Sequence, residues 1–157
     1  MATGLAVLQR ESLTDALWDE LMPLLAAHWD EIAHHRDIPL KPDKTRYFQL
    51  QTNGHLRVWT SRLEGAIIGY LAVFVAPNLH YADCLTASQD VLYVDPAHRH
   101  GRLGSDMIQH AEHCLRAEGC QVFVQHSKAS ADKTIGRFLQ RHGYELMDLV
   151  YTKRLDR

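Results

Sequence analysis

The chain has 157 residues, enough for one domain with a real core and too few to divide comfortably in two, so a single domain over 1–157 is expected. Its 19 acidic and 17 basic residues nearly balance, which argues against a broad nucleic-acid or anionic-membrane surface. The longest apolar run, Ala66 to Ala76, is too short to span a bilayer.

The first residues lack the basic-then-apolar pattern of a secretory leader. Three cysteines (Cys84, Cys114, Cys120) without paired spacing fit reduced thiols in a cytoplasmic protein. In chain order, Leu5 to Gln9 reads as a short strand. Ser12 with Asp15 three residues on reads as a helix start. Leu13, Leu17, Leu21, Leu24 and Leu25 form the buried stripe of that helix, which Pro23 is expected to kink or divide. After the Pro39 and Pro42 breaks, Asp43 caps a second helix to about Thr52, ended by Asn53-Gly54. The period then turns extended. His55 to Leu63 and Ala66 to Ala76 form a hairpin about Glu64-Gly65, and the second strand is apolar on both faces, implying helices on each side.

Pro77-Asn78 ends that strand, and His80 and Tyr81 lie in the return to a strand over Thr86 to Val94. An amphipathic helix with Leu103, Met107, Ile108, Ala111 and Leu115 on one face follows. Cys120 to Gln125 is the next strand, Asp132 to His142 a helix stopped by Gly143, and Leu146 to Leu155 a closing strand. The order β-α-α-β-β-β-α-β-α-β describes an α/β fold with a mixed central sheet flanked by helices. An exposed closing strand is compatible with a homodimer.

The organising stretch runs from Gln89 to Leu115. A strand (Val91, Leu92, Tyr93, Val94) is stopped by Asp95-Pro96, then a polar loop carries Arg99, Gly101, Arg102 and Gly104 into the helix. The first-turn N–H groups of a helix lack intrahelical acceptors and carry the positive end of its dipole. Glycines let an anion approach, and arginines add charge-assisted hydrogen bonds, so this turn reads as a phosphate site. The dinucleotide fingerprint and the Walker lysine are absent. Eleven histidines raise the question of a metal, yet none makes a recognised ligand set, and no metal site is expected.

Arg99 to Gly104 (R-H-G-R-L-G) after L-Y-V-D-P resembles the R/Q-x-x-G-x-G/A pyrophosphate loop of the GNAT N-acetyltransferase superfamily. The element order and the late R-F-L-Q-R-H-G-Y-E resemble that superfamily too, most closely its small bacterial and phage members. Aligned on Gly104, Arg102 stands where the middle glycine is usual, with Gly101 one place earlier. The resemblance implies acetyl-CoA as donor and an amine of a small molecule or protein as acceptor. Leu92, Tyr93 and Val94 would then line the pantetheine, with Arg99, His100, Gly101, Arg102, Leu103, Gly104 and Ser105 around the pyrophosphate. Asp132 stands where an asparagine often touches the cofactor, and Leu139 where the usual acid is a tyrosine.

Such chemistry needs a base, because an alkylammonium with a pKa of about 10.4 is almost wholly protonated near pH 7, a handicap of roughly 4–5 kcal/mol. Asp90, an acid inside V-L-Y-V, is the candidate, since a carboxylate there is costly unless paired or used. His126 and Tyr81 are candidates for proton relay, and Glu31, His80, Tyr81 and Lys128 for acceptor contacts, with Trp29, His34 and Tyr47 as further specificity positions. The alternative to an enzyme is a non-catalytic acyl-CoA-binding or regulatory module, suggested by the missing late-helix tyrosine.

Overall fold

A computed structural model describes residues 5–131 and 133–157. These form two compact units, one running to His126 and the other from Ser127 to Arg157, each described here by itself.

The larger unit is built on a five-stranded sheet in the order β1-β2-β3-β4-β5. The strands are β1 (Val7–Arg10), β2 (Leu56–Leu63), β3 (Ala66–Pro77), β4 (Leu85–Val94) and β5 (Val122–Val124). The first four run antiparallel, and β5 lies parallel to β4. Glu64 and Gly65 both take positive φ (51° and 87°), as a two-residue hairpin turn requires. Helix α1 (Asp15–Ile32) begins at Thr14, whose hydroxyl accepts from the Leu17 N–H at 3.1 Å; the start lies at Thr14 and not at Ser12. The helix also runs through Pro23 as one element, because its apolar stripe continues on both sides of the missing N–H. Asp43 caps α2 (Lys44–Thr52), accepting from the Arg46 N–H at 3.0 Å.

Helices lie on both faces of the sheet. On one face Leu13, Leu17, Trp18 and Leu21 pack with Val58, Tyr70, Ala72, Val91 and Tyr93. On the other, Met107, Ala111 and Leu115 of α3 (Leu103–Ala117) pack with Trp59, Leu71, Val73 and Ala87. Strand β3 therefore buries alternate residues to opposite sides, as its unbroken apolar run requires. A Cβ on Gly69 would stand 3.0 Å from the Tyr93 carbonyl oxygen and 3.3 Å from Met107 Sδ, so α3 sits close on β3 there.

Two ion networks close the unit's flanks. Glu118, at the end of α3, holds Arg10 at 2.7 Å and Arg57 at 2.8 Å. Arg62 joins Glu11 at 2.8 Å and Glu20 at 2.7 Å. Thr60 and Gln9 also donate to Glu11, and the Arg62 guanidinium holds that carboxyl down at about 2. In the smaller unit, α4 spans Ile135–Arg141 and ends at Gly143 (φ 86°).

The expected closing strand is not formed. Residues 145–157 carry no helix or strand, and Leu146, Met147, Leu149, Val150, Tyr151 and Leu155 are exposed. An apolar, aromatic-bearing segment makes a strand only where a neighbour supplies the ladder, and among the described residues the sheet ends at β5.

Candidate active site

The site is organised by an irregularity in β4. Ala72 pairs with Val91 and Val73 with Gln89, so Asp90 is an extra residue, a β-bulge. A bulge breaks the alternation of faces, and Asp90 and Val91 both line the same narrow cavity beneath α1 and α2. Apart from Asp90, Tyr47 and Tyr70, the lining is carbon-rich: Trp18, Leu21, Leu25 and Val58 are representative.

The Tyr47 hydroxyl, on α2, donates to Asp90 Oδ2 at 2.5 Å. Burial pushes the Asp90 carboxyl above the usual carboxylate range; the Tyr47 hydrogen bond and the proximity of His126 act in the opposite direction. Burial, then the neighbouring carboxylate, raise the Tyr47 phenol, which stays protonated and able to donate. His126, just past β5, lies with Nε2 3.3 Å from Ser88 Oγ, and its backbone N–H donates to Gln89 Oε1 at 3.3 Å. The structure thus gathers Asp90, Tyr47 and His126 around the bulge.

Beside the bulge, β4 is open. It pairs with β5 only over Thr86 to Ser88, so among the described residues Gln89 to Val94 have β3 on one side and no ladder partner on the other. Val94 lies four residues beyond Asp90, roughly 13 Å along the strand. Asp95 then caps a short 3-10 turn, accepting from the Ala97 N–H at 2.8 Å.

Gly101 takes φ 131°, a conformation that side chains rarely adopt, and the chain enters α3 at Arg102 with no side-chain cap. The positive-φ residue of this loop is thus Gly101, one place before the position where the middle glycine is usual. The Arg102 side chain is 78% exposed, 3.7 Å from Asp106. A Cβ on Gly104 would meet only Val94 Cγ2, at 4.0 Å, so that glycine answers to no steric demand of the fold. The first turn of α3 has no side-chain cap, so its N–H groups carry the positive end of the helix dipole, and Asp106 is the acidic residue in that turn.

Arg99 and Glu31, expected to meet a phosphate and an acceptor respectively, meet each other. Arg99 Nη2 lies 2.7 Å from Glu31 Oε1, its Nε donates to the Val94 carbonyl at 2.8 Å, and its guanidinium stacks 5.6 Å from the Tyr93 ring centre. The pair ties the end of α1 to the loop before α3. Leu92 and Val94 face α3, while Tyr93 is buried toward α1. His100 is exposed on the loop.

His80 and Tyr81 lie in the 78–84 turn beyond the Pro77–Leu85 pair, at the opposite end of β4 from the loop. Tyr81 is 69% exposed there. In the smaller unit Lys128 is exposed and Leu139 is buried; Asp132 lies outside the described residues. Sequence reasoning placed Tyr47 among specificity positions and missed its bond to Asp90, which links residues 43 apart and leaves no local trace. Among the described residues no group of three or more potential ligands could hold a metal, and no helix is long and apolar enough to cross a membrane.

The sequence model of the acetyltransferase (GNAT) domain family matches residues 54–146. The chain belongs to this family. Among curated proteins, none matches it significantly. Solved structures share its fold at low identity. An aminoglycoside acetyltransferase from an uncultured soil metagenomic sample, in complex with sisomicin, superposes with a TM-score of 0.76 at 16% identity, over 96% of each chain. A ribosomal-protein-alanine N-acetyltransferase from Brucella melitensis gives 0.69 at 20% identity, over 96% of this chain and 99% of that one. Glucosamine-6-phosphate N-acetyltransferase from Arabidopsis thaliana gives 0.70 at 12% identity, over 96% and 99%. The GNAT domain and these neighbours support acetyl transfer as the general activity.

Proposed function

We propose that this protein is an acetyl-CoA-dependent N-acetyltransferase in which Asp90 deprotonates a primary amine that attacks the acetyl group directly. One observation carries the reading: a strand edge left open from Gln89 to Val94, with a half-buried carboxylate at one end and an uncapped helix terminus at the other. Acetyl-CoA, when bound, supplies an acyl group activated as a thioester and a thiolate that leaves.

The chain's residues divide the remaining work. The first-turn N–H groups of α3, with Gly101 and Arg102, hold the diphosphate, and the residues from Arg99 to Ser105 shape its seat. The Leu92 backbone groups and the Val94 N–H, turned to the open edge, pair with the amides of the pantetheine arm, as an added strand would; the Val94 carbonyl is already held by Arg99. An N–H at the bulge polarises the thioester carbonyl. Asp90 would take the ammonium proton, the amine nitrogen would form the C–N bond as the C–S bond breaks, and the second proton leaving that nitrogen would pass through His126 or water to the departing sulfur.

His80 and Tyr81 are assigned to acceptor contacts, with Tyr81 a second candidate for the proton to sulfur. Three free thiols fit a reducing compartment, and the proposed location is the cytoplasm.

The test is release of CoA from acetyl-CoA over an acceptor panel: a peptide with N-terminal alanine, sisomicin, glucosamine 6-phosphate and alkyl monoamines. Turnover of at least one acceptor by wild type, abolished in Asp90→Asn, is expected. CoA binding without turnover on any amine would favour the acyl-CoA-binding module, and absence of CoA binding would refute both.

A further inference from the structure

Asp90 has an unusual companion for a carboxylate. No lysine or arginine lines its cavity. Helix α1 and strand β2 present only apolar side chains there, α2 presents Tyr47, β3 presents Tyr70, and His126 acts from beyond β5. Of these, the Tyr47 hydroxyl donates directly to the carboxylate.

The tyrosine ring is anchored independently of that bond. It packs 5.7 Å from the Trp18 ring and 6.1 Å from Phe74. Helix α2 has further ties: the Gln51 amide accepts from the Leu13 N–H and donates to the Leu13 carbonyl, and Lys44 reaches Asp15 at 2.6 Å. Removing one oxygen atom from Tyr47 therefore leaves the helix docked and the ring packed.

Building on the acetyltransferase reading, we infer that Tyr47 is a positioning residue for the Asp90 base, its hydroxyl fixing the carboxylate in one orientation and favouring its ionised form. With Oδ2 engaged, Oδ1 is the oxygen left to take the ammonium proton. A buried carboxylate without a donor would be protonated over a wider pH range and so unable to accept. The phenol performs this service without the second charge that an arginine would bring, which would repel a cationic acceptor.

Tyr47→Phe tests the inference through two readouts. One is the carboxyl titration of Asp90 by NMR of ¹³C-aspartate-labelled protein, with Asp90→Asn assigning the resonance. The other is the pH profile of kcat/KM for CoA release with the panel amine turned over best. Dividing the Tyr47→Phe profile by the wild-type profile cancels the amine's own titration. The Asp90 midpoint is expected to rise in Tyr47→Phe, with activity about tenfold lower below the wild-type midpoint and restored at high pH.

A role in packing alone would lower the rate equally at every pH. That uniform loss, or an Asp90 midpoint that does not move, would overturn the inference. The two readings fail separately. An Asp90→Asn variant that keeps full activity sinks Asp90 as the base, whereas a dead Asp90→Asn beside an unshifted Tyr47→Phe profile sinks only the role of Tyr47.

Discussion

Gly69 offers the sharpest test of how the sheet holds helix α3. An added Cβ would meet the Tyr93 carbonyl oxygen at 3.0 Å, Met107 Sδ at 3.3 Å and Val94 Cγ2 at 3.4 Å. The thioether can swing aside. The carbonyl cannot move cheaply, because Tyr93 is paired in the ladder with Tyr70. Overpacking of this kind costs about 1–3 kcal/mol, and the lower entropy of an unfolded alanine returns about 0.4–1 kcal/mol. Gly69→Ala should therefore destabilise by about 1–2 kcal/mol, read from the midpoint of urea unfolding at unchanged slope.

Gly104→Ala is the matched control. Its Cβ meets one methyl group at 4.0 Å, and alanine is the better helix former by up to about 1 kcal/mol, so stability should hold or rise. Gly69 is paired with Val94 at the end of the open strand edge, so its alanine variant should also bind CoA more weakly. Equal effects at the two glycines would refute the steric reasoning.

Three further outcomes are expected. Glu11 has its carboxyl lowered to about 2 by Arg62 while its side chain is 22% exposed. A depressed folded value means stability that is complete above the unfolded value near 4.5 and is lost as pH falls toward 2. The span is worth about 3 kcal/mol, so Glu11→Gln should flatten acid unfolding curves by about that amount. For Asp90 the sign reverses: burial raises its folded value, so its contribution is present at low pH and lost as pH rises through that value. Asp90→Asn should hence raise the melting temperature at pH 7 while abolishing acetyl transfer, and a lower melting temperature would contradict this. Arg99→Ala and Glu31→Ala should each weaken CoA binding, and the double variant should be no weaker than Arg99→Ala; calorimetric additivity would show that the pair does not act as a unit.

Much of the fold was legible because its signals are local. The Asp43 cap, the Glu64-Gly65 turn and the doubly apolar run of β3 are each written within a dozen residues. The first helix was harder, since Thr14 rather than Ser12 caps it and only packing decides that Pro23 is tolerated. The site was legible as residues and not as partnerships. Asp90, Arg99 and Glu31 were all singled out, but sequence cannot show that the last two neutralise each other across 68 positions. Nor can it show that a bulge turns Asp90 and Val91 to one face, since period-two alternation predicts opposite faces. The closing segment failed for a related reason: its apolar and aromatic composition suits a strand, while its ladder partner is a property of the whole sheet.

The two shielded carboxylates, Glu11 and Asp90, separate stability from chemistry. Glu11 sits in a nest of donors, Arg62, Thr60 and Gln9, and its ionised form is held so firmly that it strengthens the fold at every pH above its own. Asp90 is given one neutral phenol and an apolar wall, so ionisation there works against folding. A residue selected only for packing would be replaced by an uncharged one at no loss, because asparagine fills the same space and can accept from Tyr47. A carboxyl whose hold on a proton is strengthened by burial suits a proton acceptor, and the open strand edge beside it is where an acyl donor would be met.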